Sequence, residues 1–229
     1  MAAVLCALVV SPAPEQRIQN ARGGLFGIGM QNVDVDEMNA TLAAHGYPNH
    51  DENFLSVGGG FTWWWRHFLL GADLQALLQP SETSGNFETE LSGGYALANI
   101  GAVARVGDHF VIYPMASVGG GGAEFRIEPR TPITFDQLLT DPGRNTHITN
   151  ASMLLGPRLG AHYLVRLGRR GNRNGLMVGI RAGYLFSVLD SEWDELEGSS
   201  VEGGPALNLG GWHVLLTIGA WRTRSSMER

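Results

Sequence analysis

Apolar and polar residues alternate with a period of two along most of this chain. That period marks β-strands with two different faces, because successive side chains point to opposite sides of a sheet. Eight segments carry it, near 22–33, 53–65, 67–79, 87–105, 109–127, 146–167, 174–189 and 207–222. The seventh is the clearest. Leu176, Val178, Ile180, Ala182, Tyr184, Phe186 and Val188 share one face, against Gly175, Met177, Gly179, Arg181, Gly183, Leu185 and Ser187 on the other. The sixth sets Leu155, Pro157, Leu159, Ala161, Tyr163 and Val165 against Leu154, Gly156, Arg158, Gly160, His162 and Leu164. The third sets Phe68, Leu70, Ala72, Leu74, Ala76 and Leu78 against Leu69, Gly71, Asp73, Gln75 and Leu77. One face is wholly apolar. The other mixes glycine with arginine, histidine, aspartate and glutamine.

The connections alternate in length. Short ones fall at Trp65-Arg66-His67, 105–109 and 168–174; long ones follow segment one and recur at 79–86, 128–145 and 190–206. Long outer loops and tight periplasmic turns are the habit of outer-membrane barrels. Two long loops read as carrying short helices. Asp34 or Asp36 can cap a turn through Met38, Leu42 and Ala43 that ends at Gly46 and Pro48, and Thr134-Phe135-Asp136-Gln137 has capping-box form. Both helices are expected over the barrel mouth or at the outer membrane surface.

The glycines decide which face meets lipid. A soluble barrel would turn its apolar face inward; a membrane barrel turns it outward around a polar lumen. An eight-stranded barrel has room for few interior side chains, so glycine must alternate with the large ones. A water-exposed face has no such limit. The reading is therefore an all-β, eight-stranded antiparallel up-and-down transmembrane barrel, with Leu70, Leu74, Leu159, Val178 and Ile180 facing lipid. Val178→Arg is then expected to be costly and Gly179→Ser mild. Trp63, Trp65, Phe110 and Tyr163 fall near short turns, and Phe87, Tyr184 and Phe186 near long loops, as two interfacial girdles would.

Composition agrees. No apolar run approaches the length of a transmembrane helix, and all 16 basic residues are arginine. A net charge of −6 suggests no nucleic-acid partner, and the single cysteine, Cys6, excludes an internal disulfide. Residues 2–10 are apolar and lead into Ser11-Pro12-Ala13-Pro14, which reads as a signal-peptide remnant or disordered leader over 1–20. The barrel is expected over 21–222 and a tail over 223–229.

Over 22–222 the chain resembles the small outer-membrane β-barrel proteins of Gram-negative bacteria, in pattern rather than in a diagnostic motif. The resemblance implies a place in the outer membrane and, as partners, its lipid, lipopolysaccharide and the barrel assembly machinery. In one respect it departs: such barrels usually end on an aromatic residue, whereas here residues 222–229 follow Trp221. Trp221 also lies in the opposite parity to Val214, Leu216, Ile218 and Ala220.

Candidate chemistry is sparse. The glycine clusters at 24–29 and 119–122 do not join a strand to a helix, as a phosphate loop must. The acidic run 190–197 lacks the ligand spacing of a calcium loop. His147 and Ser152 lie five apart, so a regular strand points them to opposite sides, and His162 reads as a satisfied lumen residue. No catalytic residue, metal or cofactor is expected, and a monomer is. Instead Arg181 is expected to reach Asp73 across the lumen. Arg158, His162, Gln75 and Glu90 would complete that network, with Glu88 nearby. The leading function is a non-catalytic barrel with a plugged polar lumen, acting in envelope structure or surface interaction through long acidic loops. The rivals are an outer-membrane lipid-modifying enzyme and a soluble lipocalin-like carrier.

Overall fold

The computed structural model describes residues 20–85, 87–106, 109–130, 146–167, 174–190, 193–195, 200–201 and 204–223. Its elements, in chain order, are β1 (Asn20–Asn32), α1 (Asp36–Ala44), β2 (Asn53–Trp65), β3 (Phe68–Leu78), β4 (Glu82–Ser84), β5 (Phe87–Ala102), β6 (Ala104–Val106), β7 (Phe110–Pro129), β8 (Thr146–Arg166), β9 (Asn174–Asp190), β10 (Trp193–Glu195), β11 (Ser200–Val201) and β12 (Gly211–Thr223). Eight of these are staves. Each of β1, β2, β3, β5, β7, β8, β9 and β12 pairs antiparallel with its chain neighbour, and β1 pairs with β12 to close the ring. Closure satisfies every stave on both edges, which a sheet in hydrocarbon requires.

The staves match the alternating segments closely, but the connections hold more structure than expected. The 79–86 connection contains β4, which folds back on β5 with Gly85 at φ 57° in the tip. The 190–206 connection contains β10 and β11, and β10 extends the sheet beside β8. Helix α1 starts from Val35 with no side-chain cap; Asp34 Oδ1 instead accepts the Asp36 N–H at 3.3 Å. The helix expected near 134–139 lies outside the described residues.

The surface is inverted relative to a water-soluble protein. Leu70, Leu74, Leu159, Val178 and Ile180 all point outward and are exposed, Leu74 by 67%. So are Phe26, Ile28, Phe61, Ile100, Val118, Leu216 and Ile218 from the other staves. An apolar belt on every side of a closed barrel is far larger than the patches that monomeric soluble proteins leave in water. It places the chain in the bacterial outer membrane as a transmembrane β-barrel. The lipocalin-like reading fails on this point, because the apolar side chains that would line its cavity face out. Trp63, Trp65, Phe110 and Tyr163 are exposed at the short-turn end, and Phe87, Tyr184 and Phe186 nearer the other. Trp221 points inward, its Nε1 donating to the Leu176 carbonyl at 3.2 Å, and the even residues of β12 face lipid.

Inside, two apolar clusters flank a polar layer. At the long-loop end Val33, Val35, Phe54, Leu77, Leu91, Phe125, Leu154 and Leu185 pack with Met38 and Leu42 of α1, so the helix closes over the mouth. At the turn end Leu69, Val103, Val111, Tyr113, Leu164, Met177 and Trp221 form the second cluster. Single staves show the layering directly. Leu69, Asp73 and Leu77 succeed one another on β3, and Met177, Arg181 and Leu185 on β9, each polar residue four positions from an apolar one on either side.

Candidate functional site

The polar layer centres on Asp73. Its Oδ1 accepts Arg181 Nη1 at 2.7 Å, and its Oδ2 accepts Arg158 Nη1 at 2.6 Å and Asn99 Nδ2 at 2.9 Å. Arg158 and Arg181 are 3% and 1% exposed, and Asp73 is 3% exposed. One carboxylate thus faces two guanidiniums.

Neutral groups fill out the layer. Arg158 Nη1 also reaches Asn99 Oδ1 at 3.1 Å, which in turn accepts Ser117 Oγ at 2.6 Å. Arg158 Nε donates to His213 Nε2 at 2.9 Å. That bond fixes His213 as the neutral tautomer with its proton on Nδ1, since a ring nitrogen that accepts carries none. Arg181 Nε donates to the Tyr113 hydroxyl at 2.9 Å, and its guanidinium carbon lies 5.6 Å from the Tyr113 ring centre.

The layer fits because glycines make room for it. Arg158 lies over Gly183 on its way to His213; a Cβ there would sit 2.6 Å from Arg158 Cγ. A Cβ at Gly160 would fall inside the Tyr113 ring, and one at Gly60 would strike Asp73 Oδ1. A Cβ at Gly179 would collide with His162 and the Ala161 carbonyl, so serine at this position is not the mild change the alternation suggested.

Of the residues expected in the lumen, Asp73, Arg158 and Arg181 come together directly. His162 is fully buried but meets the layer through others, sharing hydrogen bonds with Tyr113 Oη at 3.1 Å and Thr217 Oγ1 at 2.8 Å. Gln75 is buried and accepts Ser56 Oγ at 3.2 Å, apart from the arginines. Glu90 is not in the lumen. On β5 the residues pointing in are Thr89, Leu91, Tyr95, Leu97 and Asn99, so Glu88 and Glu90 point out. The expectation assumed that a charge on a barrel strand faces the lumen. That rule holds only at hydrocarbon depth; beyond the lipid, the outer face meets water and carries charge freely. Asn99, Tyr113, Ser117, His213 and Thr217 complete the layer without a signal in the sequence, because a neutral polar side chain does not mark the lumen face as a charge at hydrocarbon depth does.

A second polar group occupies the outward face at the long-loop end. Glu88 and Glu90 on β5, Glu124, Arg126 and Glu128 on β7, and His147 and Thr149 on β8 share it. Arg126 Nη2 donates to Glu124 Oε1 at 3.0 Å, and its Nη1 lies 3.9 Å from both Glu90 and Glu128. His147 Nε2 lies 2.6 Å from Glu124 Oε1. Ser152 is buried on the opposite side of β8, so it cannot serve His147 as a nucleophile. Among the described residues no group of three or more histidine, cysteine or acidic side chains is placed to hold a metal.

No family model and no curated relative matches this chain. Solved barrels do. The attachment invasion locus protein Ail of Yersinia pestis aligns over 89% of this chain and 98% of its own, at 14% identity and a TM-score of 0.44. Neisserial surface protein A aligns over 90% and 97%, at 10% identity and 0.49. The outer membrane protease OmpT of Escherichia coli aligns over 90% and 96%, at 11% identity and 0.35. What defines the class is the chain's own inverted surface: an eight-stranded outer-membrane β-barrel.

Proposed function

We propose that this barrel is a non-catalytic surface protein of the outer membrane, with a filled lumen and an acidic wall that projects beyond the lipid. The unequal stave lengths carry this reading. β1, β2, β3 and β12 run 11 to 13 residues, whereas β5, β7, β8 and β9 run 16 to 21. A tilted strand crosses the bilayer in roughly 9 to 11 residues. The excess rises as a continuous sheet on one side of the barrel, widened by β4 and β10. Its outward face bears Glu88, Glu90, Glu124, Glu128 and Asp194 against Arg126 and His147. Such a face suits divalent cations that bridge to the phosphates of lipopolysaccharide, and basic partners arriving from outside. Two apolar clusters and the Asp73 layer across the lumen support a barrel closed to solutes.

The test is direct. Reconstituted barrel should give no steady conductance in planar bilayers. It should retain lipopolysaccharide vesicles in a calcium-dependent way that Glu124→Gln with Glu128→Gln abolishes. Porin-like conductance, or retention indifferent to both calcium and the substitutions, would overturn the reading.

The His147–Glu124 pair favours one rival. A carboxylate-oriented imidazole on the outer face near the lipid headgroups has the form of a general base. Among the described residues no free nucleophile lies beside it: Thr149, a hydroxyl on the same face, donates to the Asp194 carbonyl at 3.4 Å. Hydrolysis or acyl transfer on outer-membrane lipid that His147→Ala eliminates would establish the enzyme instead.

A further inference from the structure

The lumen layer holds more positive charge than its own side chains neutralise. Among the described residues Asp73 is the only buried carboxylate, while Arg158 and Arg181 are both buried. Both guanidiniums are already bonded to it, and Asn99, Ser117, Tyr113, His162, His213 and Thr217 around them carry no negative charge in the pairing the hydrogen bonds describe. The excess is one positive charge.

Two buried N–H donors in this layer also lack a partner, Arg158 Nη2 and Arg181 Nη2, and both belong to the arginines that carry the excess. Water cannot readily screen the charge from either end, because apolar clusters stand between the layer and both mouths. A buried charge without a counter-charge is among the most costly arrangements a protein can hold.

From this we infer that the lumen binds a small monovalent anion, of the halide class, held by the Nη2 groups of Arg158 and Arg181. A single charge matches the excess. A spherical anion takes N–H donors from several directions without the volume a polyatomic oxyanion needs, and the interior here is filled by side chains that already require glycine opposite them. The lumen is a buried halide site, laid down as the barrel closes.

The barrel should be refolded from urea into detergent micelles in sodium chloride, in sodium bromide, or in sodium gluconate at equal ionic strength, gluconate being too bulky to enter. Crystals of the bromide-refolded protein, measured at the bromine absorption edge, should show one anomalous peak in the lumen within hydrogen-bond range of Arg158 and Arg181. The thermal midpoint of the folded form should rise with the logarithm of halide concentration, as mass action requires for a ligand of the native state, and stay flat in gluconate. Arg158→Gln leaves one arginine on one carboxylate, so it should lose both the peak and the halide dependence. A lumen without bromine, bromine only at surface arginines, or midpoints equal in all three salts would overturn the site. Should Arg158→Gln fail to fold, the anomalous map of the unmodified chain decides alone.

Discussion

Several large side chains of the lumen, Asp73, Tyr113, Arg158 and His162 among them, lie over a glycine on a neighbouring strand, and the pairing is specific enough to be tested one residue at a time. Gly160→Val puts a branched side chain where the Tyr113 ring lies, so Tyr113 must leave and Arg181 Nε loses its acceptor. Overpacking of this kind costs about 1–3 kcal/mol, which urea unfolding in lipid vesicles will measure. Asp73→Asn removes the only buried carboxylate among the described residues and leaves two arginines facing a neutral amide. Breaking a buried pair in this way costs about 3–5 kcal/mol, so the same titration should show a larger loss than Gly160→Val. These residues were legible because a charge at hydrocarbon depth has only the lumen to face. Glu90 was not, because the sequence does not say where the hydrocarbon ends.

At the level of single elements, β9 offers the sharpest contrast between faces. Val178→Arg sets a guanidinium into lipid near the middle of the belt and should cost about 2–4 kcal/mol. Gly179→Ser, one residue on, should also destabilise, through its collision with the Ala161 carbonyl and His162 rather than through lipid. Restoring space with His162→Ala should recover part of the loss in Gly179→Ser and none in Val178→Arg, as folding yields into vesicles will show. Helix α1 and its following turn behave differently, since their order depends on a titrating contact. His50, outside the membrane, is buried between Gln79 and the edge of the Phe125 ring, with its backbone N–H on Asn39 Oδ1. Burial holds its imidazole below the ordinary value, and the Gln79 bond and the Glu82 charge offset only part of that. The unfolded segment therefore takes up a proton first as pH falls. The contact is at full strength above the ordinary histidine value of about 6.5 and weakens as pH drops from there through the folded value. Protection factors of the 36–50 segment, taken relative to the intrinsic exchange rate at each pH, should fall on acidification, and His50→Gln should flatten that response.

Across the whole molecule, closure of the ring leaves no stave with an unpaired edge, with β12 completing β1 at one seam. The unheated protein should therefore migrate apart from the heated one on a denaturing gel. Asp73→Asn should lower the temperature of that shift, whereas Glu128→Gln on the projecting wall should leave it unchanged. Equal effects of the two would mean that the lumen layer does not hold the barrel together.

Periodicity along the chain determined the number of staves, the face each turns to lipid and the inward place of Asp73, Arg158 and Arg181. Those are local facts: a period of two fixes the faces, and the scarcity of lumen space fixes which face carries glycine. Tertiary structure alone decided that both arginines share one carboxylate, that α1 packs over the outer mouth, and that β5, β7, β8 and β9 outrun the other staves with Glu90 on the outer face. Each of these depends on the relative height of strands around the ring. Strand tilt and shear set that height only when the barrel closes, and no single stretch of sequence encodes it.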